Sequence, residues 1–399
     1  MNNTLNQQII DLCRFGDLQQ LQRFIIQNPN YDIYTENNKI FLLACENGHI
    51  HLAQWLFKNK PDINIFARNN YAFRHACNNG YLDIAQWLYQ IKPKIDISNN
   101  NEYVFRWACQ NGQLLVAQWL LQIKPDIEIS TMNERPFRWA CKNGHLHVVK
   151  WLLQIKPDIN ISADNNFSFR LACCQGHIHV AQWLYQIKPD INISADNDYA
   201  FRWACIKGYL EIAEWLLQIK SDINISACVD YAFRFTCKNG HLNIAKWLLQ
   251  IKPDIDISAN NDQAFQKACG EGHFHVAEWL LQIKPDIDIS SRNEEAFRWA
   301  CVNGHLNIAK WLLQIKPDIN ISADYEFAFR WACFSGHLQI AKWLLQIKPE
   351  IDISSKNDEA FYWVCLKEHL QIAQWLCTLN SSYRIQINDN KIVSYYVLK

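Results

Sequence analysis

Apolar positions recur along this chain in a phrase of 32 residues, repeated eleven times without insertion or deletion. In one well-formed copy Phe297, Ala300 and Cys301 fall at i, i+3 and i+4, on one face of a helix predicted from about Ala296 to Val302. Gly304 ends it, because a positive φ at a helix C-terminus suits glycine best. A second helix is predicted from His305 to about Ile315, with Leu306, Ile308, Ala309, Leu312 and Leu313 on a broad apolar face. Asn307 and Lys310 point outward. Lys316 suits the negative end of that helix, and Pro317 cannot continue it. The alternation Ile319-Asn320-Ile321-Ser322 predicts a short extended segment, and a polar loop from Ala323 to Glu326 leads into the next copy.

Neither helix can bury its apolar face alone, so the pairs must stack and stability must come from the interfaces between neighbours. A fixed period of this length means a solenoid, mainly α, whose function lies in an extended surface more often than in a cleft. A marker cysteine recurs at Cys45, Cys77, Cys109, Cys141, Cys173, Cys205, Cys237, Cys269, Cys301, Cys333 and Cys365, with Cys13 in a degenerate first copy. About twelve units therefore fill nearly all of the 399 residues. The expected organisation is a polar capping unit over 1–32, eleven units over 33–380 and a C-terminal cap or tail over 381–399. Within that tail, Ile385-Gln386-Ile387 keeps the extended pattern, and 391–398 is expected to form a truncated helix covering the last interface. A partner-recruiting tail is the competing reading.

Composition sharpens this picture. All 17 Trp sit at two repeat positions, eleven at that of Trp55 and six at that of Trp107. Eleven of the twelve Gly occupy the turn slot of Gly304, and the last copy has Glu368 there instead. The 39 basic and 39 acidic residues balance, which removes the usual electrostatic case for nucleic acid or an anionic membrane. Twelve of the fifteen Cys are one small buried position copied along the array, with neighbours roughly 10 Å apart and too distant to bridge. With a polar start and no long apolar run, the chain is expected to be soluble, reduced and cytoplasmic.

The residues Ala300-Cys301, Gly304-His305-Leu306, Ile308-Ala309, Trp311-Leu312-Leu313 and Pro317-Asp318-Ile319-Asn320 resemble the ankyrin repeat, and the likeness covers almost the whole chain. Each unit is one residue shorter than usual, and the Thr-Pro-Leu-His motif is largely missing. Phe holds its Leu slot, Arg holds its His slot in eight copies, and only Pro136 retains the proline. The Thr slot is often aromatic, as at Tyr71, Tyr103, Phe167, Tyr199, Tyr231 and Phe327. Asn70, Asp198 and Asp230, just before that aromatic, are expected to cap the first helix instead. The repeated Phe-Arg-Trp-Ala-Cys wording is similar to the large ankyrin-repeat families of giant DNA viruses. That likeness implies a viral protein of the host cytoplasm.

The resemblance implies a concave groove lined by the loops and inner helices, extending roughly 120 Å over twelve units. The positions that vary between copies fall there: the loop (Ser98 to Tyr103 against Ser226 to Tyr231), the residue before Ala-Cys, and the two residues after Cys. The residue before Ala-Cys is Trp107, Trp139, Trp203, Trp299, Trp331 or Trp363, with Arg106, Arg138, Arg202, Arg298 or Arg330 beside it. These are the side chains richest in interface hot spots, so the row is the candidate partner-binding site. The competing reading packs the Trp rings against the Arg stems of the next unit. Trp311 and its equivalents, being constant and flanked by Leu, are expected in the core.

Cys-x-x-x-His recurs, as at Cys301/His305, but zinc needs four converging ligands, and the Cys is expected in the core with the His in the turn. One lysine per unit from Lys60 to Lys348 has an acid two residues on in nine of ten copies, which predicts a self-compensated face. No singular nucleophile, base or phosphate loop stands out, so no enzyme activity, cofactor or metal is expected. The expected function is a monomeric, non-catalytic scaffold for a protein or extended peptide, without a small-molecule substrate. A substrate adaptor for a host ubiquitin ligase and a structural or decoy repeat protein are the alternatives.

Overall fold

The computed structural model describes residues 2–29, 35–61, 63–65, 67–93, 95–97 and 99–398. The boundary expected between Asp32 and Ile33 lies outside the described residues, as does Ser98 of the variable loop. Residues 1–196 and 197–399 form two compact units. Both are built from the same helix pair: Ser291–Val302 followed by Leu306–Ile315, then Ala323–Phe334 followed by Leu338–Ile347, and so on. Among the described residues no helix is long and apolar enough to cross a membrane.

The second helices begin and end where the pattern places them, within a residue. The first helices carry a feature the pattern does not announce. In Ser291–Val302 the residues Arg292, Asn293 and Glu294 have φ of 54°, 59° and 66°, and right-handed winding starts only after them. The expected polar loop is thus one left-handed turn of three residues, repeated at Asp164-Asn165-Asn166 and Asn260-Asn261-Asp262 among others. Such a conformation costs an L-residue roughly 1–2 kcal/mol, least for Asn and Asp, which explains the Asn at its centre in most copies. Ile319 to Ser322 does not pair as a strand; Ile319 is buried and the Ala323 amide turns back onto the Asn320 carbonyl at 3.0 Å.

The turn between the two helices needs its glycine for two reasons. Gly304 has φ of +88°, and a Cβ there would stand 2.7 Å from the His337 ring of the next unit. Glu368 takes the same left-handed place, φ 57°, in the last copy, where a β-hairpin rather than another helix pair follows.

Burial follows the apolar stripe. Phe297, Ala300, Cys301, Ile308, Ala309 and Leu312 are all buried. Phe297 then meets Trp343 of the next unit at 6.3 Å between ring centroids, and Phe265 meets Trp311 at 6.2 Å. The same contact joins Phe73 to Trp119 and Phe105 to Trp151 in the first half of the chain. Most of these Trp are half-buried rather than fully enclosed, so the expectation of a core Trp holds for one face of the ring.

At the C-terminus the helix expected over 391–398 is instead a strand. β1 (Tyr383–Asn388) and β2 (Lys391–Val397) form an antiparallel hairpin with an irregularity between Gln386 and Ile387. The β-branched and aromatic run Ile392-Val393-Ser394-Tyr395-Tyr396-Val397 favours a strand, and Asp389-Asn390, both at positive φ, make the tight turn. The buried Tyr383 ring stacks on Phe361 at 4.2 Å, and its hydroxyl donates to Asp358 Oδ1 at 2.7 Å.

If the Phe–Trp seam carries the coupling between units, Phe297→Ala should destabilise the chain by about 3–5 kcal/mol. Urea unfolding followed by Trp fluorescence checks this, and a loss below about 1 kcal/mol (roughly the cost of a surface change) would remove the seam from its place in the fold.

Candidate interaction surface

The arginines of the first helices share one job. Arg330 donates from Nε to the Tyr325 carbonyl at 2.6 Å and from Nη2 to the Asp324 carbonyl at 3.1 Å. Arg234 grips Val229 and Cys228 in the same way, at 2.7 and 3.0 Å, and Arg202 Nε reaches the Asn197 carbonyl at 2.7 Å. The guanidinium thus satisfies the carbonyls of its own left-handed turn. Its remaining nitrogen crosses to the next unit: Arg298 Nη1 lies 3.1 Å from Asp324, Arg138 pairs with Asp164, and Arg330 pairs with Glu359. Arg106, Arg138, Arg202 and Arg330 are buried, and Arg298 nearly so. This brace stands where the Thr-Pro-Leu-His bracing is missing.

The acid before the aromatic acts within its own unit, tying the turn to the extended segment that follows the second helix. Asp198 and Asp230 do not cap their own helices as expected. Asp198 Oδ2 accepts the Asn224 amide at 3.2 Å, Asp230 Oδ2 accepts the Asp256 amide at 3.4 Å, and Glu294 accepts that of Asn320 at 3.2 Å. Asp198 and Asp230 both belong to the left-handed turn, at φ 57° and 52°. Asn70 is likewise left-handed, at φ 58°.

The tryptophans differ from their arginine neighbours. Trp107, Trp139, Trp203, Trp331 and Trp363 are half-buried, and Trp299 is exposed at 37%. Where an aromatic stands one turn earlier the indole leans on it, as Trp107 on Tyr103 at 5.6 Å, Trp203 on Tyr199 at 5.6 Å and Trp331 on Phe327 at 5.5 Å. The arginines lie over that aromatic in the following unit, rather than over the Trp: Arg138 over Phe167 at 4.9 Å, Arg202 over Tyr231 at 5.3 Å, Arg298 over Phe327 at 4.7 Å. Towards the C-terminus Trp331, Phe334 and Trp363 form one cluster with centroids 4.9–5.3 Å apart, bordered by Leu366 at 67% exposure. At Trp107, Trp139, Trp203, Trp299 and Trp331 a partly open ring stands beside a buried or nearly buried arginine.

The turn histidines and marker cysteines play structural parts. His369 Nε2 lies 2.9 Å from the Phe334 carbonyl of the preceding unit, and Asn303 Nδ2 donates to that of Gly270 at 2.7 Å. The marker thiols are buried, which pushes Cys13 and Cys365 up to about 12 and others, such as Cys301, higher still. Among the described residues no three His, Cys, Asp or Glu side chains converge as metal ligands. Lys316 Nζ sits 3.0 Å from Asp318 and Lys252 2.8 Å from Asp254, the self-compensation expected of that face, though such exposed pairs contribute little to stability.

The left-handed turn, the arginine brace and the bonds from the turn's carboxylates to the extended segment were not foreseen. A signal for them existed: Asn recurs at the centre of the turn, with an acid or Asn after it and an Arg at a fixed distance beyond.

A family model described as "Ankyrin repeats (3 copies)" matches residues 9–101, 76–165, 139–227 and 233–324, and one described as "Ankyrin repeats (many copies)" matches 329–376. No curated protein matches the chain. Among solved structures it is similar to the crystal structure of the human ASB11 ankyrin repeat domain, at 18% identity and a TM-score of 0.37, over 48% of this chain and 95% of that one.

Two outcomes follow from the geometry. Burial holds His145, His177, His241, His273, His305 and His337 below their ordinary value, so the folded chain keeps them neutral where the unfolded chain takes up protons. Stability from these groups is complete above the unfolded value of about 6.5 and is lost as pH falls through the lower folded values. The Tm should therefore decline on acidification from about pH 7 towards about pH 5. The decline should shrink when His305 and His337 become Gln, the residue found at Gln113 in the same slot. Separately, Val229 is β-branched, 63% exposed and at φ 58°. Val229→Asn should raise stability by about 1 kcal/mol, read as a higher urea midpoint.

Proposed function

The chain belongs to the ankyrin-repeat family, and on that premise we propose that it is a non-catalytic protein-binding scaffold. Ankyrin repeats generally mediate protein–protein interactions. The recognition surface proposed here is the row of half-open rings on the first helices, Trp107, Trp139, Trp203, Trp299, Trp331 and Trp363, on the side that the family resemblance makes concave. The single observation that carries this reading is the contrast within each Arg-Trp pair. The arginine is spent on the fold, gripping its own turn and the next unit, whereas the tryptophan beside it keeps a face open. An open aromatic on a rigid backbone gives a partner large contact area at small cost in conformational entropy.

Arg106, Arg138, Arg202, Arg298 and Arg330 enter this reading as the frame that fixes the rings and tunes the surface charge. The occupant is a protein or extended peptide, which suits a ladder of rings repeated along the chain better than a small molecule does. The first unit (1–32) and the C-terminal hairpin act as the two caps. The Tyr383–Phe361 stack supports that role for the hairpin, because it covers the apolar face of the last unit. The working place is the cytoplasm, and on the viral likeness that of an infected cell.

Trp203→Ala, Trp299→Ala and Trp331→Ala combined should leave circular dichroism unchanged and weaken capture of specific partners from a eukaryotic cell lysate by at least about tenfold. Quantitative mass spectrometry of the captured proteins reads the result. An unchanged partner list from the folded variant would end the proposal. Ligase subunits in the list would point to the adaptor role.

A further inference from the structure

The first-helix face of this chain pairs several of its cations with acids of the next unit, whereas Trp139 is flanked by two cations that are not so paired. Lys267 lies 3.0 Å from Glu295 of the next unit, Lys238 lies 3.6 Å from Glu271, and Arg330 pairs with Glu359. Around Trp139 the equivalent acids are replaced. The position of Glu295 and Glu359 is Arg135, and the position that would serve Lys142 as Glu271 serves Lys238 is Gln175. Both cations turn to the indole instead: Arg135 Cζ lies 5.4 Å from the Trp139 ring centroid and Lys142 Nζ 4.0 Å.

Neither cation has a carboxylate partner among the described residues. Arg135 Nε is buried without a hydrogen bond, and the bond from Nη1 goes to the weak acceptor Sδ of Met132 at 3.7 Å. Of the acids in sequence or space around them, Asp164 pairs with Arg138, and Glu134 accepts the Asn160 amide at 3.4 Å through Oε1 while its Oε2 stays buried without a hydrogen bond. A half-open aromatic flanked by two cations without acids is a receptor for an anion attached to an apolar group.

Resting on the reading of the Trp row as the recognition surface, we propose that Arg135, Trp139 and Lys142 form an acidic-peptide site. An Asp or Glu carboxylate of an extended partner segment seats between the two cations, and an adjacent apolar residue packs on the exposed edge of Trp139. Charge complementarity selects this occupant: the chain as a whole is neutral, so a local unmatched pair steers one kind of segment to one unit.

The test uses the full chain and fluorescein-labelled dodecapeptides of repeating Glu-Ser-Leu, Gln-Ser-Leu and Lys-Ser-Leu, read by anisotropy. The Glu peptide should bind about tenfold more tightly than the Gln peptide, with a marked loss at higher salt. Arg135→Gln with Lys142→Gln should erase that preference, Arg135→Glu with Lys142→Glu should transfer it to the Lys peptide, and Lys238→Gln with Lys267→Gln should leave it intact. Lys142→Gln alone, at a half-exposed side chain set against the Trp139 ring, carries the test if the Arg135 variants unfold. Equal affinity for Glu and Gln peptides, or indifference to both Gln variants, would overturn the proposal. So would tighter binding of an oligo-dT dodecamer or of inorganic phosphate through the same residues, since the site would then read phosphate.

The two readings fail separately. Peptide binding that depends on Arg135 and Lys142, alongside lysate partners unaffected by the Trp203, Trp299 and Trp331 changes, would keep the acidic-peptide site and discard the row. The reverse pattern would keep the row and discard this site.

Discussion

Phe297 sits at the centre of its helix pair with essentially no exposed surface, yet one side of that enclosure is the Trp343 ring of the following unit. The same dependence repeats along the chain at Phe73, Phe105, Phe233 and Phe265. A helix pair taken alone would therefore leave its largest apolar side chain partly wet, losing roughly 25 cal/mol for each Å² exposed. Nearest-neighbour burial of this kind makes stability a sum over interfaces. It also explains why the period tolerates no insertion: one extra residue between the marker Cys and the second-helix Trp would carry the ring off its Phe.

The polar contacts obey the same nearest-neighbour rule. The arginine holds its own left-handed turn and then an acid, an amide or an aromatic of the next unit. The acid that ends the turn instead accepts an amide of its own unit's extended segment, whereas the turn His and Asn reach back to carbonyls of the unit before. Three consecutive residues at positive φ are costly; Arg234 and Arg330 each donate to two carbonyls of the turn, Arg138, Arg298 and Gln266 to one, which offsets part of that cost in those copies. The Arg in place of the family's His thus braces the unusual loop in most copies, and the loop also forms beside Gln266 and Tyr362.

How much of this could be read beforehand divides along physical lines. The helix pairs were legible because Phe297, Ala300, Cys301, Ile308, Ala309 and Leu312 follow helical spacing, and because Gly304 marks a positive φ that other residues avoid. The buried Cys and the Lys316–Asp318 pair were legible for similarly local reasons. The left-handed turn was not, since Asn and Asp also suit ordinary turns and caps, and their sequence does not say how many residues in succession take the αL conformation. The helix expected over 391–398 failed because the repeat pattern was extrapolated past its end, where β-branched and aromatic residues next to an Asp-Asn turn favour a hairpin. For the Trp row, sequence named the residues but could not separate the buried Arg from the half-open Trp beside it. That separation depends on which side of the first helix faces the loop, a matter of packing.

The separation also bears on how near-identical units can recognise anything selectively. Positions bound into the inter-unit contacts cannot vary without loosening two neighbours at once, which leaves the ring row, the Thr slot and the two residues after Cys free to differ. Substitution there can be compensated: the lysine that replaces the ring at Lys267 is met by Glu295 of the next unit. Compensation of this sort keeps the surface neutral and therefore indifferent to a partner's charge. Selectivity must come from places where compensation lapses, because only there does an incoming group find an interaction the fold has not already made. Arg135 and Lys142 around Trp139 are such a place, and the open Trp331–Phe334–Trp363 cluster is its apolar counterpart. A repeat array drifting from a common copy gains specificity unit by unit, through departures from its own self-complementarity.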